Sequence, residues 1–259
     1  MKENILIGMP TLIELKTLQK NIDFCHSLNL DLLELNMNLP YLQVEELKKT
    51  QLPMDLQFSI HLPEELNIWD FNPKVRNAYT ETLVETIEYA DKHNIRILNM
   101  HMNKGVYFSL PNKKVYLFED NKYFFNEKTE EFGALVDDVL QDSDIKVHLE
   151  NTGMLDIPFI YDAATSLLKK KSFRLTWDVG HDASSGNKDF QFYKSHIADI
   201  KHIHLHDAIG KSNHLPLGEG DLDITEIMNI VGNSVESIIL ETKTVEGLKK
   251  SVEFFSKLS

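Results

Sequence analysis

Ile200-Lys201-His202-Ile203-His204-Leu205-His206-Asp207 decides how this chain folds. Ile203 and Leu205 alternate with His202, His204 and His206. In an extended strand alternate residues share a face, so the three imidazoles point the same way. Such a row is costly in an apolar core and well suited to a metal site. The stretch runs on through His214 to Leu217-Gly218-Glu219-Gly220, so an apolar run opens onto a polar, glycine-containing loop.

Working outward, the same strand-then-loop pattern recurs. Short apolar runs at residues 5–9, 32–36, 56–61, 95–102, 145–150, 173–178, 200–206 and 237–240 predict eight strands. Helical spacing follows each one, over residues 12–22 with Thr11 as cap, 41–51, 73–93, 127–141, 158–170, 190–198, 224–231 and 245–258. Residues 106–118 break the rhythm and read as strand, turn, strand, a β-hairpin inserted after the fourth strand. Eight β/α units in 259 residues predict an α/β fold, a single (β/α)8 TIM barrel domain spanning 1–259. A doubly wound open sheet is the runner-up, but Gly8-Met9-Pro10 is not the glycine-rich phosphate loop that such a sheet carries after its first strand.

Composition narrows the class. The chain is 42% hydrophobic and 26% charged, ordinary for a globular protein with a sizeable core. Its net charge of −13 repels phosphate backbones and weighs against nucleic acid as a partner. The lysine pairs and the Lys169-Lys170-Lys171 run are scattered and read as solvated faces. The single cysteine, Cys25, excludes an intrachain disulfide, fits a reducing compartment, and is expected to be a buried small hydrophobe. No signal-peptide core follows Met1 and no apolar run is long enough to span a bilayer, so a cytoplasmic location is expected.

In this barrel, chemistry sits at the C-terminal strand ends. Those ends carry His61, His101, Glu150, Asp178, His204, His206 and Glu241, with His181 three residues beyond Asp178. An inward ring of Glu150, Asp178 and Glu241 repels itself unless a cation offsets the charge. Mixed imidazoles and carboxylates suit zinc, manganese, iron or cobalt rather than calcium. His202 and His148 lie one layer deeper and read as supporting or core residues. Glu34 is a candidate to orient His61 from behind. Asn99 reads as structural, while His26, His93 and His196 fall on helices or loops at the surface. Trp69 lines the mouth or packs in the core, and Trp177 faces the helices.

These motifs resemble the xylose isomerase-like TIM-barrel superfamily, in its endonuclease IV (AP endonuclease family 2) and sugar isomerase/epimerase branch. The resemblance rests on His-Leu-Pro at His61, Glu-Asn-Thr-Gly from Glu150 and Asp-Val-Gly-His from Asp178. It continues through His-Leu-His-Asp from His204, Leu-Gly-Glu-Gly from Leu217 and Leu-Glu-Thr from Leu240. It implies a four-ligand metal site of Glu150, Asp178, His204 and Glu241, with the two glutamates as acid/base pair in the epimerases. In the endonuclease, residues matching His61 and His101 join Glu150 on a second zinc, and those matching His181 and His214 hold a third. The family aspartate that completes the third zinc is replaced by Ser212, with Asp207 as a possible substitute. The segment 62–70 does not match the endonuclease's DNA-penetrating loop.

Two functions are therefore expected. The first is a divalent-metal-dependent sugar or sugar-phosphate isomerase/epimerase that works through an enediolate. In it Glu150 and Glu241 move the proton, and His181, Lys211 and His206 contact substrate oxygens. The alternative is a zinc phosphodiesterase of the endonuclease IV type. Both imply a zinc or manganese cofactor, at one to three sites. The first implies a small polar sugar as partner, no membrane, and room for a homo-oligomer. Another hydrolase or lyase on this barrel, or a binding protein that keeps the metal site without turnover, is the remaining alternative.

Overall fold

The structure is a computed structural model that describes residues 5–141 and 143–258. The chain start at Met1, on which the expectation of no leader rests, lies outside them. The elements run β1 (Leu6–Pro10), α1 (Leu18–Ser27), β2 (Leu32–Asn36), α2 (Val44–Leu47), β3 (Gln57–His61), α3 (Pro73–Lys92) and β4 (Ile97–His101). Then come β5 (Tyr107–Ser109), β6 (Lys114–Tyr116), α4 (Leu117–Asp120), α5 (Lys122–Leu140), β7 (Lys146–Glu150), α6 (Pro158–Leu168), β8 (Phe173–Asp178), α7 (Val179–Ser184) and α8 (Phe190–Ser195). The chain closes with β9 (Ile200–Leu205), β10 (Asp207–Ile209), β11 (Ser212–Leu215), α9 (Ile224–Val231), β12 (Ser237–Leu240) and α10 (Val245–Ser256). Eight parallel strands close in the order β1-β12-β9-β8-β7-β4-β3-β2, a (β/α)8 barrel. The expected hairpin after the fourth barrel strand is present as antiparallel β5 and β6, and its Val106 and Phe108 are exposed.

Alternation sorts the barrel residues. Leu33, Leu35, Ile60, Leu98, Val147, Leu149, Leu175, Ile203, Leu205 and Leu240 are fully or almost fully buried under the helices. The opposite face of the same strands carries Glu34, Ser59, Asn99, His148, Thr176, His202 and His204, also buried, so the barrel interior is polar. Trp69 belongs to the core: it is 0% exposed, stacks on Phe125, and donates its indole N–H to Thr129 Oγ1 at 2.9 Å. Trp177 faces the helices, against Tyr193. Cys25 is buried, and burial pushes its thiol up to about 12.

Local structure departs from the sequence pattern at five places. The first helix begins at Leu18, because Lys16 takes a positive φ of 62° and interrupts the run. Thr17, not Thr11, caps it, accepting from the Lys20 amide, while the Thr11 hydroxyl accepts from the Asn36 amide. The expected helix over 41–51 shrinks to a single turn, α2. The helix expected from residue 127 already begins at Lys122, where it buries Phe125. A six-residue helix, α7, leaves β8 at once, because the Asp178 carboxylate accepts the His181 amide N–H at 2.6 Å. Residues 207–215 form a second hairpin, β10 and β11, at the mouth.

Candidate metal centre

β12, β9, β8 and β7 are four consecutive strands of the barrel ring, and each carries a ligand-type side chain at its C-terminal end or one residue from it. Glu150, Asp178, His204 and Glu241 each bring one donor atom to within 4.8 Å of the others, and all four are buried. His204 Nδ1 lies 3.0 Å from Glu241 Oε2 and 3.3 Å from Glu150 Oε1. Asp178 Oδ2, His204 Nδ1 and Glu241 Oε2 are buried without a hydrogen-bond partner. Buried polar atoms are normally satisfied. Three unsatisfied donor atoms around one point, in a set of three carboxylates and one imidazole, fit a divalent cation.

The supporting residues fix those atoms. His204 Nε2 is 3.1 Å from Glu34 Oε1, which leaves Nδ1 to face the cluster. The expected partner of Glu34 was His61; its actual partners are His204, His202 at 3.6 Å and Ser59 at 3.3 Å. Strand periodicity places Glu34 inside the barrel but does not say which residue it meets across it. His202 sits one layer down, with Nδ1 against Ser237 Oγ at 2.6 Å. Burial opposes protonation of His204, but Glu150, Glu34 and Glu241 outweigh it and raise its pKa well above the ordinary imidazole value. Burial likewise opposes ionisation of Glu150 and Glu241. His204 and His101 around Glu150, and His204 and Lys243 around Glu241, hold both carboxyls well below the usual range. The same contacts let a cation replace the proton at His204.

His61 and His101 converge with Glu150 as a second three-residue group. His61 donates from Nδ1 to the Leu62 carbonyl at 2.8 Å, so its Nε2 lone pair is free and sits 3.5 Å from Glu150 Oε2. His101 Nε2 lies 3.4 Å from Glu150 Oε1 and has no hydrogen-bond partner. The other oxygen of Glu150 also takes the Asn99 side-chain amide, which gives Asn99 a place in the site.

Above the four-residue cluster, His181, His206 and His214 also come together. His181 Nδ1 is 3.1 Å from Asp178 Oδ2, and His214 Nε2 is 3.7 Å from Glu241 Oε1. His206 was expected near the rim in reach of substrate. It is instead fully buried, with Nε2 3.0 Å from Asp178 Oδ1 and Nδ1 accepting the His214 amide N–H at 2.8 Å. Its Nδ1 is engaged by that amide, while its Nε2, like His181 Nδ1 and His214 Nε2, is buried without a hydrogen-bond partner. Asp207 does not stand in for the carboxylate missing at Ser212. Its oxygens accept from the amides of Ala208, Gly218 and Leu222 at 2.9, 2.9 and 3.1 Å, tying the β10–β11 hairpin to the following loop. Lys211 lies exposed in the turn of that hairpin rather than in the site.

The cation at the site is Lys243, which the sequence reading missed. It follows Glu241 by two residues, pairs with Glu241 Oε1, and leaves about half of its side chain, 51%, open to solvent. With Asn36, Asn38, Glu64 and Thr11 it lines a cavity of about 150 Å³ at the mouth. Asn151 was missed too. It clamps Asp178 from both sides, accepting its amide N–H at 2.7 Å and donating to its carbonyl at 2.9 Å. The Glu-Asn pair at 150–151 was the available signal.

Three comparisons bear on this arrangement. Residues 18–258 match the family described as xylose isomerase-like TIM barrel. An uncharacterised protein of Methanocaldococcus jannaschii is 26% identical over 214 residues, covering 78% of this chain and 70% of its own. Among solved structures, a D-tagatose 3-epimerase-like protein superposes with a TM-score of 0.76 at 20% identity, over 98% of this chain and 97% of that one. The IOLI protein with a bound zinc atom superposes with a TM-score of 0.71 at 12% identity, over 98% of each chain.

Proposed function

The chain belongs to the xylose isomerase-like TIM barrel family, and on that premise we propose that it is a metal-dependent isomerase or epimerase of a small sugar or sugar phosphate. The observation that carries the reading is the set of unsatisfied atoms, Asp178 Oδ2, His204 Nδ1 and Glu241 Oε2, gathered with Glu150 at the barrel's C-terminal end. Glu150, Asp178, His204 and Glu241 would hold the ion. A divalent ion bound there supplies Lewis acidity that makes a C–H next to a carbonyl easier to deprotonate.

The chain's own residues do the rest. Glu150 and Glu241 enter from β7 and β12, which β8 and β9 separate in the ring, so two carboxylates reach the site from different directions. Both are held ionised, the state a proton acceptor needs. One takes the proton at Oε; the other, once it has drawn a proton from solvent, delivers it to the opposite face of the same carbon in an epimerisation, or to the neighbouring carbon in an isomerisation. Lys243 pairs with Glu241 and faces the mouth, where its ammonium binds a hydroxyl or phosphate oxygen of the substrate. The similarity to a tagatose 3-epimerase-like protein and to a zinc-bound barrel supports the same class.

A second reading, a zinc phosphodiesterase, draws on the His61–His101–Glu150 group, which suits a second metal. It is the weaker one, because Asp207 is used structurally and Ser212 is exposed, so neither supplies the further carboxylate that a third site would take.

The test is solvent-deuterium wash-in with a panel of pentuloses, hexuloses and their phosphates, in the presence of Mn²⁺ or Zn²⁺. We expect deuterium at the carbon beside the carbonyl of one of them, and loss of at least a hundredfold in Glu241→Gln with the fold intact. Absence of exchange throughout the panel, together with metal-dependent phosphodiester cleavage, would overturn the proposal in favour of the second reading.

A further inference from the structure

The other end of the barrel has an unusual charge. Four strands adjacent in the ring, β9, β8, β7 and β4, each carry a cation within one residue of their start: Lys201, Arg174, Lys146 and, one residue ahead of β4, Arg96. These four line a cavity of about 280 Å³ with Ile97, Asp144, His148 and Glu236. Four cations against two carboxylates leave a formal charge of +2 in a chain whose total is −13.

The two carboxylates neutralise little. Asp144 reaches Arg96 and Glu236 reaches Lys201 only at 3.9 Å, and both acids are largely exposed, at 80% and 70%. Among the described residues, no ion pair to a carboxylate is found for Lys146 or Arg174. Lys146 Nζ meets the carbonyls of Ser143 and Ile145, and Arg174 Nη1 meets those of Phe173 and Lys171. Lys201 Nζ takes the Ser234 carbonyl at 3.3 Å. Burial above all, and then the neighbouring Arg174, lower the Lys146 pKa. The floor is His148, 2% exposed, whose ring brings no negative charge.

We propose that this N-terminal mouth is a second binding site, for a small phosphate-type oxyanion, either inorganic phosphate or a phosphomonoester group. The argument mirrors that for the opposite end, where an inward ring of carboxylates calls for a cation. Here a ring of cations whose spare donors find only carbonyls calls for an anion. A guanidinium with ammonium groups around it suits a tetrahedral dianion. The cavity is at the small end of ligand sites, ~300–1,000 Å³. The site is separate from the metal centre: Lys146 and Glu150 stand on one face of β7 four residues apart, roughly 13 Å at ~3.3 Å per residue. A small substrate at the metal centre does not bridge them.

The experiment is calorimetric titration of the full chain with inorganic phosphate and with glycerol phosphate, ionic strength being held constant with chloride. Arg174→Gln and the half-exposed Lys201→Gln are titrated alongside, with their melting temperatures in chloride as the check on folding. We expect saturable 1:1 binding in the wild type, weakened at least tenfold in Arg174→Gln and several-fold in Lys201→Gln. Equal affinity for the two ligands identifies free phosphate as the occupant, and tighter binding of the ester identifies a phosphorylated metabolite. Undiminished affinity in both variants, or no saturable binding, overturns the proposal. So does tighter binding of a short single-stranded oligonucleotide lost in the same variants, which would make the mouth a nucleic-acid contact.

Discussion

Glu34→Gln isolates the link between the barrel interior and the metal centre. Glu34 is 2% exposed and reaches His204 Nε2 at 3.1 Å, Ser59 Oγ at 3.3 Å and His202 Nε2 at 3.6 Å. Glutamine has the same shape. Its oxygen still accepts from His204, and its amide group finds acceptors in the Ser59 hydroxyl and in His202, whose Nδ1 is engaged by Ser237. Packing and hydrogen bonding therefore survive and only the charge is lost. A carboxylate behind a ligating imidazole raises its basicity and fixes its orientation, and losing such a partner costs about ten- to a hundredfold in metal affinity. That corresponds to ~1.4–2.7 kcal/mol. Competition for Zn²⁺ against a chromophoric chelator measures it. The melting temperature of the metal-free chain should move by no more than about 2–4 °C, the equivalent of ~1 kcal/mol. Ser59→Ala, which keeps the Glu34 charge, should lose less than threefold. If Glu34→Gln binds zinc within threefold of wild type, His204 is not held as a ligand through Glu34 and the assignment of its Nδ1 to the metal fails.

Three further outcomes follow from single contacts. A Cβ on Gly180 would lie 2.0 Å from Cε1 of His206, a ring pinned between Asp178 and the His214 amide. Gly180→Ala should therefore cost ~1–3 kcal/mol in urea unfolding, and an unchanged midpoint would show that ring to be free. Asp207→Asn turns an amide group toward backbone N–H donors and should cost ~1–3 kcal/mol with metal per chain unchanged; a fall in metal content would make Asp207 a ligand after all. Burial raises the Asp182 carboxyl from 3.8 to about 6. The folded chain then holds this proton more tightly than the unfolded one, so the contribution to stability is complete below 3.8 and is lost as pH rises through about 6. The difference in unfolding free energy between wild type and Asp182→Asn should accordingly shift by ~3 kcal/mol between these limits, and a flat difference curve would refute the raised value.

The barrel and its end lined by carboxylates and imidazoles were legible because period-2 alternation fixes which side chains point inward. Glu150, Asp178 and His204 follow from that rule with no knowledge of neighbours. What alternation leaves open is which inward residue meets which. Glu34 on β2 and His204 on β9 are three strands apart in the ring, and their contact depends on barrel closure. Loops beyond strand ends obey no period, which is why Lys243 was missed and Lys211 misplaced. The turn around Gly210, with its φ of 56°, was the one visible sign of the hairpin that carries Lys211 away. The cations at the N-terminal mouth were invisible for a different reason. Each is an ordinary charged residue at a strand start, and only the ring order makes Arg96 a neighbour of Lys146.

The three histidines of β9 and its extension show how far one spacing rule reaches. All three are fully buried, as a shared inward face requires. Their chemistry is set by what each meets. His202 meets Ser237 and Glu34, and burial lowers its pKa, so it serves as a neutral spacer. His204 meets three carboxylates and keeps Nδ1 without a hydrogen-bond partner, so Nδ1 is where a cation can replace the proton. His206 is held by Asp178 and by the amide of His214, a residue on the hairpin that the strand leads into. That last contact engages Nδ1 and leaves Nε2 without a hydrogen-bond partner, beside Asp178 Oδ1. What this corner lacks is the carboxylate that Ser212 replaces, and that change favours a centre built around Glu150, Asp178, His204 and Glu241.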